Sequence, residues 1–315
     1  MWFKNLRIYR LDPQWQCDRA SLEKALSSQM FNPQSASASE MQRLGWVPAV
    51  GDQELVYAND GQFLITLRTE KKLLPASVVN QFAAEKAREI EEQQGYRPGR
   101  RQMKEIKEQV TDTLLPRAFS LRQDTRVWID SRNHWLVIDT GSSAKSDEVI
   151  GMLAKAIDPL PASMLHVATS PCAKMTAWLI EGQASDDFTI DQDAELASTG
   201  TGGGKIRYVR ESIETDDAKK HIEVGKQCTK LALTWNDRVS FVLTEGLDIK
   251  RVTALDVVNE NHTTAENEQE QFDADFALMT GELNALLTSL IGALGGEKSI
   301  ESNPEPGKAI ELQEA

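Results

Sequence analysis

Three cysteines in 315 residues, Cys17, Cys172 and Cys228, are too few and too scattered for a disulfide framework or a Cys-x-x-Cys metal site. An odd, sparse cysteine count fits a reducing compartment. Histidine is nearly as scarce: His134, His166, His221 and His262 lie far apart, at no spacing typical of metal ligands. No run approaches about 18 apolar residues, and the N-terminus lacks an apolar signal core, so a cytoplasmic chain without a membrane segment is expected. The G-x-S-x-G nucleophile motif is absent. The segment Thr199-Gly-Thr-Gly-Gly-Gly-Lys-Ile206 only imitates a phosphate-binding loop. Thr199 replaces the first glycine, Ile206 replaces the magnesium-holding hydroxyl, and a strand pattern follows where a helix is needed. Asp130 and Asp139 fall on neighbouring predicted strands and are the one pair that could hold a nuclease metal, although strand-end carboxylates more commonly close turns. These absences leave no catalytic residue, cofactor or metal to nominate.

What the chain does have is unevenly placed charge. The formal net charge is −13, yet residues 256–315 hold thirteen acids against two lysines, and 181–195 hold six acids with no cation. Of the −13, residues 256–315 carry −11, so residues 1–255 as a whole carry only −2. A protein polarised in this way can offer an anion one basic surface despite its overall sign.

The basic surface is expected around 96–126. Between 95 and 132 nine Lys/Arg face five acids. Pro98-Gly99 interrupts one helical pattern and starts another, and Pro116 stops the second. Over 77–94 and 98–113 these patterns predict a helical hairpin. Arg97, Arg100 and Arg101 lie at its tip, and Arg100, Arg101, Lys104 and Lys107 share one face of the second helix. Val79, Phe82, Ala83, Ala87 and Ile90 should line the inner side of the first helix, and Met103, Ile106, Val110 and Leu114 that of the second. Arg100 and Arg101 occupy a first helical turn, where the helix dipole disfavours cations. Cations held where they cost stability suggest an anionic partner, or a merely solvated face. Arg117 and Arg122 extend the basic stretch. A second, weaker cluster holds Lys205, Arg207 and Arg210, with Lys205 and Arg207 on one strand face. Neither cluster carries a base-reading motif, so phosphate contact without sequence reading is expected.

Elsewhere the patterning is mixed. Strand character at 3–11 precedes a short helix at 21–28 and a low-complexity loop at 32–39. Hairpins are expected around Asn59-Asp60-Gly61, around Ser131-Arg132-Asn133-His134, and around Asn236-Asp237. In the last, Leu231, Leu233, Trp235, Val239, Phe241 and Leu243 should point inward. Helices are expected at 146–157, 171–180 and 215–225, with an acidic, glycine-rich stretch at 186–204. A stripe of Phe272, Phe276, Met279, Leu283, Leu286, Leu290 and Leu294 has helical spacing and reads as core or subunit interface. Strands and helices do not alternate regularly, which points to an α+β chain of several domains with antiparallel hairpins. The expected division is an N-terminal α+β domain (1–74 and 120–162), a basic helical finger (75–119), a C-terminal α+β domain (163–296) and a disordered acidic tail (297–315).

Several blocks in one order resemble the RdgC family of recombination-associated proteins. They are Trp2-Phe-Lys-Asn-Leu6, Gly45-Trp-Val-Pro48, Leu73-Leu-Pro75, Leu114-Leu-Pro-Arg-Ala-Phe-Ser120, Trp128-Ile-Asp130, His221-Ile-Glu with Gly225-Lys226, Thr229-Lys-Leu-Ala-Leu233, and Phe272-Asp-Ala-Asp-Phe-Ala-Leu-Met-Thr-Gly-Glu-Leu283. The resemblance covers 1–296. It implies a homodimer closed into a ring around double-stranded DNA, with single-stranded DNA as a further ligand. It also implies nucleoid association, restraint of the RecA recombinase and no catalysis. By the same resemblance Arg117 and Phe119 stand where a DNA contact and a closing contact between subunits are expected, and Arg210 stands where the family is basic. Val209 and Glu211 are less basic than that pattern. The reading left open beside it is an acidic interaction module that meets the recombinase directly, without DNA.

Overall fold

The computed structural model describes residues 2–33, 40–51, 54–185, 187–198, 200, 203–211, 213–259 and 267–298. Most of the 32–39 loop and of the 297–315 tail lie outside them. The chain is α+β and divides into two compact units. The first comprises Met1–Ser163, Asp248–Thr253 and His262–Thr280; the second comprises Met164–Leu247, Ala254–Asn261 and Gly281–Ala315.

In the first unit the strands are β1 (Asn5–Leu11), β2 (Gln42–Val47), β3 (Tyr57–Asn59), β4 (Gln62–Lys72), β5 (Ser120–Asp130) and β6 (Trp135–Asp139). β7 (Ala162–Met164) follows at the unit's boundary. With β12 (Ile249–Ala254) they form an antiparallel sheet in the order β2-β4-β5-β6-β1-β12, β3 pairing with β4. Alternation along the strands sends Phe63, Ile65, Leu67, Val127, Ile129, Leu136 and Ile138 to one face. There they meet Leu22 and Leu26 of α1 (Arg19–Ser27) and Val149, Met152 and Leu153 of α4 (Ser143–Ala156). The helix expected at 146–157 begins three residues earlier because the Ser142 hydroxyl caps it, accepting from the Lys145 N–H. The Asn59-Asp60-Gly61 turn is present, with Asp60 and Gly61 both at positive φ, as a two-residue hairpin of this hand requires.

The finger leaves the sheet at Pro75 and returns through Ala118. Its helices are α2 (Ala76–Gln94) and α3 (Arg100–Leu114), with a 3-10 turn at Leu115–Arg117. They share a small core of their own: Ala83, Ala87, Ile106 and Val110, flanked by Val79, Ile90, Met103 and Leu114. Phe82 departs from expectation and is exposed. The two alanines draw α3 close, so the seam runs through 79, 83, 87 and 90 and Phe82 falls one step to its side.

In the second unit the sheet order is β11 (Val239–Thr244), β10 (Lys226–Trp235), β8 (Phe188–Ser198) and β9 (Lys205–Tyr208). α5 (Pro171–Glu181) packs Met175, Trp178 and Leu179 inward, its first turn capped by Ser170. The Trp178 and Phe188 rings stack with centroids 6.3 Å apart. The β10–β11 hairpin buries all six residues expected to face inward. α6 (Thr215–Glu223) follows β9, and α7 (Asp256–Asn259) precedes the long α8 (Glu268–Ala293). β8 is a correction: 186–204 reads as an acidic, glycine-rich stretch, yet eleven of its residues form a strand paired with β10. Its acids mislead because neighbouring segments satisfy them: Glu195 meets Arg207 and Lys230, Asp191 accepts from the Thr234 hydroxyl, and Asp193 accepts from the Arg210 N–H. β2 and β12 are likewise strands that the local pattern does not announce.

By length and composition α8 is apolar enough to cross a membrane. Its apolar stripe is nevertheless core: Phe276, Met279, Leu283, Leu286, Leu290 and Leu294 are buried. The helix belongs to the first unit as far as Thr280 and to the second from Gly281.

Candidate nucleic-acid interface

The finger tip owes its shape to two glycines. Gly95 ends α2 in the left-handed region at φ 77°, its N–H reaching the Glu91 carbonyl at 2.8 Å. Gly99 then precedes α3, whose first turn contains no acid to offset Arg100 and Arg101. Arg97, Arg100, Arg101 and Lys104 are therefore displayed without an acid between residues 93 and 104. Arg97 pairs loosely with Glu91 at 3.4 Å, Arg101 with Glu105 at 3.4 Å, and Lys104 with Glu108 at 3.8 Å. The Arg101 side chain stays 96% exposed, so these contacts compete poorly with solvent or with a phosphate. Lys107 is exposed further along α3, and Arg117 is exposed in the 3-10 turn at the finger's base. Over 75–119 the finger holds eight cations and seven acids. Its basic character is therefore a matter of position: the tip is positive and the flanks of α2 offset it.

At the base, Phe119 is 84% exposed, and Leu73 and Leu121 are exposed beside it. The Leu73 N–H donates to the Phe119 carbonyl at 2.7 Å, and β-alternation places Phe119 and Leu121 on one face. The aromatic ring is thus outside the core of the chain.

Three expected phosphate ligands, Arg122, Lys205 and Arg207, also pair with a glutamate. Arg122 donates through Nε to Glu70 at 2.8 Å, and Arg43 holds the same carboxylate from the other side. Lys205 and Arg207 reach Glu195 at 3.4 and 2.7 Å, joined by Lys230 at 3.1 Å. Burial opposes the charge on Glu195, but hydrogen bonds from Lys230 and Arg207 outweigh it and draw the carboxyl down to about 2. The Arg122 hydrogen bond, with that of Arg43, likewise lowers Glu70. Arg210 adopts φ 55°, and its N–H donates to Asp193 at 2.9 Å; its side chain is exposed. Arg43 is absent from the basic clusters expected above, because its signal lies in cross-strand register and not in any local run of charge; Lys230, by contrast, follows the second cluster in sequence with Lys219, Lys220 and Lys226.

A family model described as "Putative exonuclease, RdgC" matches residues 1–297. The chain belongs to the RdgC family. It is 58% identical over 301 residues to the "Recombination-associated protein RdgC" of Bordetella parapertussis (strain 12822), covering 95% of this chain and all of that one. It is 56% identical over 299 residues to the protein of that name from Burkholderia orbicola (strain MC0-3), with 95% and 97% covered. For the protein of that name from Janthinobacterium sp. (strain Marseille) the identity is 56% over 298 residues, with 94% and 99% covered. The resemblance read from the sequence blocks is thereby established for the family.

The RdgC model's description names an exonuclease, while these relatives are named for recombination. In this chain both candidate nuclease carboxylates are tied to backbone. Asp130 is fully buried, its Oδ1 accepting the N–H groups of Arg132 and Asn133 at 2.9 Å. Asp139 Oδ1 accepts the N–H groups of Lys4 and Asn5 at 3.0 Å. Burial raises the Asp139 carboxyl, partly offset by those two bonds. Among the described residues no group of three or more His, Cys, Asp or Glu is placed to hold a metal ion. Burial also pushes the Cys17 thiol up to about 11 and that of Cys228 to about 12, so neither is a ready thiolate at neutral pH. Of the RdgC-type blocks, Gly45-Trp46 has a visible packing role. A Cβ on Gly45 would lie 2.5 Å from the Phe31 Cα, so only glycine lets the two backbones approach.

Proposed function

We propose that this RdgC-family chain binds double-stranded DNA without sequence preference, and single-stranded DNA as well, as a homodimer closed into a ring. By occupying the duplex it restrains strand exchange by a RecA-type recombinase in the cytoplasm, at the nucleoid. The observation that carries the reading is the finger tip, where Arg97, Arg100, Arg101 and Lys104 stand exposed in a segment free of acids. Lys107 and Arg117 continue the basic line. Lysine and arginine heads presented in this way suit phosphate oxygens and carry no base-edge readout. The exposed Phe119, with Leu73 and Leu121, supplies an apolar contact suited to joining two subunits. The recombination-associated names of the relatives agree with this role.

The experiment is a salt titration of binding to unrelated duplexes, run beside direct pull-down of the recombinase. Equal affinities falling steeply with salt support the proposal. Recombinase capture without DNA affinity would favour direct protein contact instead. The exonuclease reading, which the family description favours, is tested by incubating end-labelled DNA with the protein and magnesium or manganese; the proposal expects the label to remain intact.

A further inference from the structure

The two units repeat one arrangement of charges. In the first, Arg43 of β2, Glu70 of β4 and Arg122 of β5 are direct cross-strand partners. In the second, Arg207 of β9, Glu195 of β8 and Lys230 of β10 are direct cross-strand partners. Each unit therefore has a cation–glutamate–cation rung across three adjacent antiparallel strands. In each, the glutamate lies on the strand next to the sheet edge, with β2 or β9 outside it. Both glutamates are buried, at 7% and 4% exposure, while Arg122, Arg207 and Lys230 remain 52%, 65% and 43% exposed at their side chains.

A buried carboxylate needs compensation, and a single cation would balance its charge. Here Glu70 has two and Glu195 has three, Lys205 being the third. The first rung is left with one surplus positive charge and the second with two. The bonding also leaves donors over. Arg122 and Arg207 both use Nε toward their glutamate, so each retains terminal N–H groups for another acceptor. In the first rung the guanidinium carbons of Arg43 and Arg122 also stand 5.4 and 5.9 Å from the centroid of the Phe31 ring, which fixes them further.

We propose that the two rungs are duplicated phosphate grips, in which Glu70 and Glu195 are positioning residues that hold cations extended toward a polyanion. This rests on the DNA-binding reading above and adds to it Arg43, Lys230 and the two glutamates. It makes an inverted prediction: removing a negative charge from the rung weakens binding to a negatively charged ligand.

The test measures binding of the full-length Glu195→Gln and Glu70→Gln variants to labelled duplex DNA across a range of salt, with thermal melting alongside. Each variant is expected to bind about tenfold more weakly, the equivalent of one charge-assisted hydrogen bond. Its slope of log affinity against log salt should be shallower by about 0.9 for each phosphate that the rung no longer neutralises. Equal or tighter binding with an unchanged slope would show that the glutamates only neutralise charge, and would overturn the proposal. Should Glu195→Gln fail to fold, the double variant Arg207→Gln/Lys230→Gln alters exposed groups and serves instead. It should lower the slope by about 1.8, and an unchanged slope sinks the inference. A wild-type chain without salt-sensitive DNA affinity would overturn the DNA reading itself; rung variants that match a binding wild type overturn this inference alone.

Discussion

Replacing Arg100, Arg101 and Lys104 together by glutamine removes three cations from the finger tip without touching its core. All three side chains are exposed, and Arg101 and Lys104 meet Glu105 and Glu108 across loose contacts. The packing of Ala83, Ala87, Ile106 and Val110 is left as it is. Glutamine is a good helix former, and two cations leave a first turn whose dipole opposes them, so melting temperature should hold or rise slightly. DNA binding should change far more. If each side chain neutralises one phosphate, the slope of log affinity against log salt falls by about 2.7. Between roughly 50 and 200 mM salt the wild-type affinity should then drop about fortyfold further than that of the variant. Fluorescence anisotropy of a labelled duplex over that range reads both slope and affinity. An unchanged slope in a variant that melts normally would remove the finger tip from the binding surface and refute the argument.

Phe119→Ala should leave the monomer's melting temperature nearly unchanged, since the ring is 84% exposed, while shifting sedimentation toward monomer; a lower melting temperature with an intact dimer would contradict this. Gly45→Ala places a Cβ against the Phe31 backbone and should destabilise by about 1–3 kcal/mol in denaturant titration, a neutral result being the contrary one. Leu233→Ala, at a fully buried site in β10, should cost about 2–5 kcal/mol in the same titration, and a cost below that range would contradict its place in the core. Glu195 titrates at about 2 against an ordinary value of 4.5. Because the folded value is the lower one, its contribution is complete above about pH 4.5 and is lost as pH falls toward 2. Acid unfolding of Glu195→Gln should therefore be less steep across that window than in wild type, and an identical profile would contradict the assignment.

The fold is legible in the sequence where local pattern decides structure. Val239, Phe241 and Leu243 alternate opposite Leu231, Leu233 and Trp235 around Asn236-Asp237, and a hairpin buries both rows together. The finger is readable because Pro98-Gly99 breaks one helical stripe and begins another. β8 is not readable, because Glu195 looks like part of a solvated acidic run until β9 and β10 bring Arg207 and Lys230 against it. The pairing of Arg122 is unreadable for the same reason: its partner Glu70 lies 52 residues away in sequence. A cation paired through long-range register looks the same in sequence as one with no carboxylate beside it. Phe119 is ambiguous in sequence between core and surface, and only its exposure places it outside the core.

The claim of a ring around duplex DNA is tested most directly by topology. The protein is loaded at low salt onto a covalently closed circular plasmid and onto the same plasmid cut once, then both are challenged with high salt. Backbone-charge contacts are screened alike on both molecules. The account predicts that the closed circle retains protein while the linear molecule, which a ring can leave from its ends, releases it, and that cutting the loaded circle releases the remainder. Equal release from both would show that the duplex is bound from one side and is not encircled.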